Sequence, residues 1–191
     1  MDGAPLMRMN IGKFDSEVGM LTIVTNERAE VCAIELGSRA AQLPQRLRTL
    51  YGSSEIAGEG IPDAVSGALV SYFAGDLAAI DAIDVAKPGS ELERRVWEAL
   101  RAIPHGTTTT YGELARKLGY DDPRAAVDVG AANAANPIAI VVPCHRVIAK
   151  NGDLRGYAWG LSRKAWLLAH EGATPMAAKA RPVETGRLPG F

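Results

Sequence analysis

The chain has 191 residues, 47% of them hydrophobic and 23% charged, with a net charge of -1. That length can bury a core as one domain or two small ones. With Asp2 near the start, no apolar leader and no aliphatic run longer than Ile138 to Val142, neither a secretory signal nor a membrane-spanning helix is expected, and a cytoplasmic, monomeric protein is.

Cys32 and Cys144 lie far apart, with no CxxC partner and no histidine at ligand spacing. Neither a disulfide framework nor a zinc site is therefore expected, and no metal or organic cofactor is indicated. Charge is uneven along the chain, with seven basic against twelve acidic residues over 1–87, eleven against nine over 88–172 and three against one over 173–191. A mildly basic middle segment leaves the partner open, because committed DNA-binding domains are usually more positive.

In chain order, Met20 to Val24 and Val31 to Leu36 read as two strands around the polar turn Asn26-Glu27-Arg28, a hairpin. Leu43 to Leu50 and Asp63 to Phe73 carry helical spacing, separated by a Gly/Ser-rich stretch from Gly52 to Gly60. Lys87-Pro88-Gly89-Ser90 reads as a linker, after which Ser90 caps a helix with the stripe Leu92, Val96, Trp97 and Leu100. Beyond Ile103-Pro104-His105-Gly106, Thr110 caps a short helix that Gly119 ends, and Asp122-Pro123 starts another running to about Ala135. Helix, Gly-containing turn, helix is the helix-turn-helix outline, which plain packing units share. The second of these helices is mostly Ala and Gly, so it suits either tight packing or close approach to a groove. Asn136-Pro137 stops it, and a strand over Ile138 to Val142 is expected to lead into Pro143-Cys144. Lys150-Asn151-Gly152-Asp153 reads as a turn joining Val147-Ile148 to Asp153-Leu154, and Gly156 to Gly160 as a loop able to overhang a pocket. A last helix, about Ser162 to Glu171, is expected to be capped by Ser162 and closed by Gly172, with a flexible tail over 173–191. The domains expected are 1–87, an α/β unit, and 88–172, mainly helical.

Pro143-Cys144-His145-Arg146-Val147 places a thiol beside an imidazole. A thiol of ordinary pKa near ~8.5 is mostly protonated at neutral pH, and a nearby base makes it a nucleophile. A buried structural cysteine beside an unrelated histidine is the other reading of these two residues. Adjacent side chains on regular backbone point apart, so a bridging water is the expected relay between them.

Taken together and in order, Ile103 to Gly106, Thr110-Tyr111-Gly112, Asn136-Pro137, Pro143 to Ile148, Gly152, Gly156-Tyr157, Lys164 and Leu167 to Gly172 closely resemble the O6-alkylguanine-DNA alkyltransferases. The resemblance spans about Glu91 to Gly172; residues 1–87 match that family's variable N-terminal domain only in outline. It implies an α+β fold, with a small ribonuclease H-like N-terminal domain and a mainly helical domain bearing a winged helix-turn-helix-like element. It further implies a single-turnover repair protein that moves the alkyl group of O6-alkylguanine, with O4-alkylthymine as a further candidate, from flipped-out bases of double-stranded DNA to Cys144.

By the same resemblance, His145 takes the thiol proton and Glu171 orients the imidazole. Tyr111 donates to N3 of the departing guanine and the Ala158 N–H to its O6. The carbonyls of Cys144 and Val147 accept from the exocyclic amine, and Asn136 braces the Cys-His turn. Tyr157 and Trp159 wall the pocket, and Arg146 falls with the substrate-binding residues. The groove-facing residues are Arg124, Ala125, Ala126, Val127 and Gly130. His105 and His170 are assigned to structure.

One departure matters. The family's intercalating arginine aligns with Val127, its next position with Asp128, and no Lys or Arg lies between Ala125 and His145. Phosphate contacts supply most nonspecific affinity, so weak DNA binding is expected. Three readings stand: Val127 as an apolar wedge with charge from Arg124, Cys144 as an acceptor for free bases or other alkylating compounds, or a lesion-sensing module. The last is disfavoured because lesion-sensing relatives replace the cysteine.

Overall fold

A computed structural model describes residues 6–173. It divides into two compact units, with the break between Gly89 and Ser90, and Pro137–Ala139 returning to the first unit.

In the first unit the strands are β1 (Met7–Phe14), β2 (Leu21–Asn26) and β3 (Val31–Leu36), followed by α1 (Leu43–Tyr51), β4 (Ser54–Glu59) and α2 (Asp63–Phe73). The sheet order is β3-β2-β1-β4, antiparallel except for the parallel β1 and β4. Every residue of β2 and β3 is buried, which is why their Val/Ile-rich runs stand out in the sequence. Asn26 sets the hairpin between them, its side-chain oxygen accepting from the Arg28 and Glu30 backbone amides. β1 and β4 are strands that the sequence reading above does not contain. β1 alternates Met7, Met9, Ile11 with polar residues, and β4 is a largely exposed strand at the sheet edge, where nothing apolar is required of it. Leu43 and Leu47 of α1 close the core over Met9, Val24, Cys32 and Ala33. Ile34 exchanges two backbone hydrogen bonds with the returning segment, accepting from the Ala139 amide at 3.2 Å and donating to the Pro137 carbonyl at 3.0 Å.

The second unit carries the site. It contains α3 (Glu91–Arg101), β5 (Thr109–Thr110), α4 (Tyr111–Lys117), α5 (Ala125–Ala134), β6 (Val147–Ile148) and α6 (Leu161–His170). Reciprocal capping boxes start α3 (Ser90 and Glu93) and α4 (Thr110 and Glu113), each satisfying backbone donors that a helix start leaves open. Val96, Trp97 and Leu100 form the buried face of α3. The Trp97 indole donates to the Ala132 carbonyl at 2.8 Å, tying α3 to α5.

Three local expectations are corrected here. Residues 138–142 are not a strand: only Ile138 bridges, and the chain then turns through Ile140 at φ 71°. A β-branched residue in that region costs about 1–3 kcal/mol and persists where its surroundings hold it, as the complete burial of Ile140 does. An apolar run alone does not distinguish such a buried turn from a strand. β6 pairs in parallel with β5, not across the Asn151-Gly152 turn, which is closed by the Ala149 amide on the Asp153 carbonyl and the Gly152 amide on the Ala149 carbonyl. α6 is entered through Gly160 at φ 102°, with no cap from Ser162. Of the expected tail, only Ala173 lies within the described residues.

Candidate active site

Pro143 ends the buried turn, and the chain coils into a short 3-10 turn, Cys144–Arg146, closed by the Arg146 amide on the Pro143 carbonyl at 3.0 Å. Cys144 keeps 3% of its surface exposed. The Asn136 amide, just beyond the end of α5, donates to the Val142 carbonyl at 2.8 Å and to Cys144 Sγ at 3.2 Å. One side chain therefore shapes the turn and touches the thiol.

His145 is fully buried and its Nε2 lies 2.9 Å from Glu171 Oε1. Facing a carboxylate, Nε2 carries the proton, which leaves Nδ1 as the lone-pair nitrogen. Nδ1 is buried and has no hydrogen-bond partner among the described residues. Cys144 and His145 are not hydrogen-bonded to each other among the described residues.

Arg146 is buried among protein partners. Its Nε and Nη2 grip Glu171 at 2.7 and 2.8 Å, Nη1 donates to the Ile103 carbonyl at 2.6 Å, and Nη2 lies 2.6 Å from His105 Nδ1. The geometry makes it the counter-ion of a buried carboxylate.

The electrostatics follow from burial and these partners. Burial pushes the Cys144 thiol up to about 11, against the Asn136 hydrogen bond and the Lys164 charge. The resting residue is a thiol and needs a base. Burial likewise lowers His145, outweighing the hydrogen bond and charge of Glu171, so the imidazole is neutral and able to accept. Burial would raise Glu171, but the hydrogen bonds of His145 and Arg146 and their charges hold it well below the usual carboxylate range. Burial and then Cys144 raise the Tyr111 hydroxyl, which stays a donor.

Lys164 belongs to the resemblance only as a motif residue without a role, and the structure gives it one in holding the site together. It is fully buried, and its ammonium bonds the Val147 carbonyl at 2.6 Å and the Arg155 carbonyl at 2.8 Å, lowered by burial to about 8. The signal was a lysine one turn from Leu168 on the apolar face of α6. It ties β6 to the loop 153–160. In that loop Tyr157 meets the His145 ring edge-on with centroids 6.4 Å apart, and Trp159 packs on Tyr157 at 5.2 Å. Gly156 stands so near Tyr111 that a Cβ there would lie 3.1 Å from the phenol oxygen. Among the described residues no group of three or more His, Cys, Asp or Glu is placed to hold a metal ion.

The family described as 6-O-methylguanine DNA methyltransferase, DNA binding domain, matches residues 91–173. A methylated-DNA–protein-cysteine methyltransferase of Salmonella typhimurium is 46% identical over 170 residues, covering 87% of this chain and 98% of that protein. The chain belongs to this family. A namesake from Methanosarcina acetivorans is 40% identical over 161 residues, covering 84% of this chain and 96% of its own length. Among solved structures, Mycobacterium tuberculosis OGT in complex with DNA superposes with a TM-score of 0.68 at 33% identity, covering 85% of this chain and 92% of that one.

The residues that the resemblance places at the groove lie on α5 and its N-cap, Arg124. Val127 is 73% exposed and Asp128 beside it is exposed too. Arg124 is exposed but paired with Asp122 at 3.1 Å, a solvent-screened surface pair that a phosphate can displace. Ala125 and Ala126 are half-buried, and Gly130 faces the Tyr111 ring, where a Cβ would find ordinary contact at 3.7 Å.

Proposed function

We propose that this protein repairs DNA by moving the alkyl group of O6-alkylguanine, in double-stranded DNA, onto Sγ of Cys144, irreversibly and once per molecule. The observation that carries this reading is the His145 imidazole, with Nε2 held by Glu171 and Nδ1 buried and unpartnered, next in sequence to a buried thiol. O6 lies within the base stack, so the nucleotide is first rotated out, at a cost of a few kcal/mol.

The thiol proton passes to His145 Nδ1 through a bridging water, and Glu171 stabilises the imidazolium. The S–C bond forms as the C–O6 bond breaks. Guanine leaves with that electron pair, stabilised by the Tyr111 hydroxyl at N3 and the Ala158 amide at O6. The Cys144 and Val147 carbonyls accept from its exocyclic amine, the latter while also held by Lys164; a carbonyl has two lone pairs for this. Tyr157 and Trp159 wall the base, and α5 faces the groove through Arg124, Val127 and their neighbours. O4-alkylthymine is a further substrate of the same pocket. The protein acts as a cytoplasmic monomer, with a ribonuclease H-like first domain and a winged helix-turn-helix second; among the described residues no helix is long and apolar enough to cross a membrane.

Incubation with a duplex carrying one O6-methylguanine, followed by intact-mass analysis, is expected to add one methyl group to the peptide containing Cys144 and none to Cys144→Ala. A parent protein without that adduct rules the reading out. Gly156→Ala is expected to slow transfer about five-fold, because a side chain at φ 62° is strained and presses on the Tyr111 hydroxyl. Single-turnover rates measure this; an unchanged rate would mean that Tyr111 does not act at the reacting base.

A further inference from the structure

The loop between α3 and β5 brings a second imidazole to the site. His105 is half-buried, with Nδ1 2.6 Å from Arg146 Nη2. A guanidinium only donates, so Nδ1 is the acceptor and the ring proton sits on Nε2. Of the five N–H groups of Arg146 four are engaged, two by Glu171 and one each by the Ile103 carbonyl and His105. The α3–β5 loop thus supplies both acceptors that hold the guanidinium in addition to the carboxylate.

That bracing reaches the base. Glu171 Oε1 accepts from Arg146 Nη2 at 2.8 Å and also from His145 Nε2 at 2.9 Å. A shift of the guanidinium therefore shifts the oxygen that aims the His145 ring, and a buried charge-assisted network transmits such shifts because few alternative partners exist. We propose that His105 is a positioning residue for alkyl transfer: its Nδ1 lone pair fixes Arg146, which fixes Glu171, which aims His145. The proposal rests on the reading of His145 as the base that serves Cys144.

The test compares three proteins in single-turnover transfer from an O6-methylguanine duplex: the parent, His105→Phe, which fills the space without an acceptor, and His105→Asn, whose side-chain oxygen stands where Nδ1 is and does not titrate. The phenylalanine variant is expected to be slower by about ten-fold and the asparagine variant to recover to within about two-fold of the parent. Lesion-duplex affinity, measured with each change placed on Cys144→Ala, is expected to be unchanged, since only the chemical step is addressed. Should the phenylalanine variant fail to fold, His105→Ala carries the same comparison. Parent-like transfer by the apolar variant overturns the proposal, and so does an asparagine variant as slow as the folded apolar one. A parent protein that forms no methyl adduct defeats the transfer reading itself, and this proposal with it, before any variant is compared.

Discussion

Replacing Glu171 by glutamine is expected to slow methyl transfer at least about 100-fold and to destabilise the protein by roughly 3–5 kcal/mol. The carboxylate is the shared acceptor of two buried cations or donors, with Arg146 on both oxygens and His145 on Oε1. An amide in its place keeps one acceptor and turns an N–H toward either Arg146 or His145, leaving the buried guanidinium without a counter-charge. The imidazole also loses the group that stabilises it once protonated. Thermal melting reads the first effect, with a fall of roughly 10 °C for a chain of this size, and single-turnover mass analysis reads the second.

The pH dependence has a definite sign. Glu171 has a depressed folded-state value, so its contribution is fully present above the ordinary carboxylate value near ~4.3 and is lost as pH falls toward the folded one. The gap in stability between parent and Glu171→Gln should narrow on acidification below that value. A variant that melts and transfers like the parent would reduce Glu171 to a surface-like residue and sink the proposed relay.

Val127→Arg is expected to tighten binding to duplex DNA about ten-fold at low salt and to steepen the plot of log affinity against log salt by about 0.9, the increment for one added phosphate contact. Val127 is 73% exposed, so the new side chain displaces nothing from the core and melting should be unaffected. It would be the first cation on a stretch that has no Lys or Arg from Ala125 to His145 and that carries Asp128. Transfer at limiting protein should rise with affinity. Affinity and salt slope equal to those of the parent would mean that α5 does not approach the phosphates.

The strands show where sequence reading succeeds and fails. β2 and β3 were legible because both faces are buried and every position is free to be apolar or β-branched. β4 was not, because an exposed edge strand can be built from Ser, Glu and Gly as easily as a loop can. The Ile138 to Val142 run misled in the opposite direction, since burial demands apolar residues of a turn as much as of a strand. Within the site, the motif singles out Cys144, His145, Asn136 and Tyr111, and the first three lie around one buried turn, with the Asn136 amide on Cys144 Sγ. The partners of Arg146 are not legible in the sequence, because Ile103, His105 and Glu171 lie 25 to 43 positions away from it.

What the residues determined by themselves was local. Ser90 with Glu93 and Thr110 with Glu113 mark helix starts from local sequence alone, because each pair satisfies donors three residues away. The order of motifs from Ile103 to Gly172 carried the family in the same way, residue by residue along the chain. Only the tertiary structure decided what each buried charge meets: Arg146 finds Glu171 across 25 positions and His105 across 41, and Lys164 finds the Val147 carbonyl across 17. A charge can leave water only where opposite charges or dipoles await it, and that depends on where distant parts of the chain come together, which no local spacing encodes.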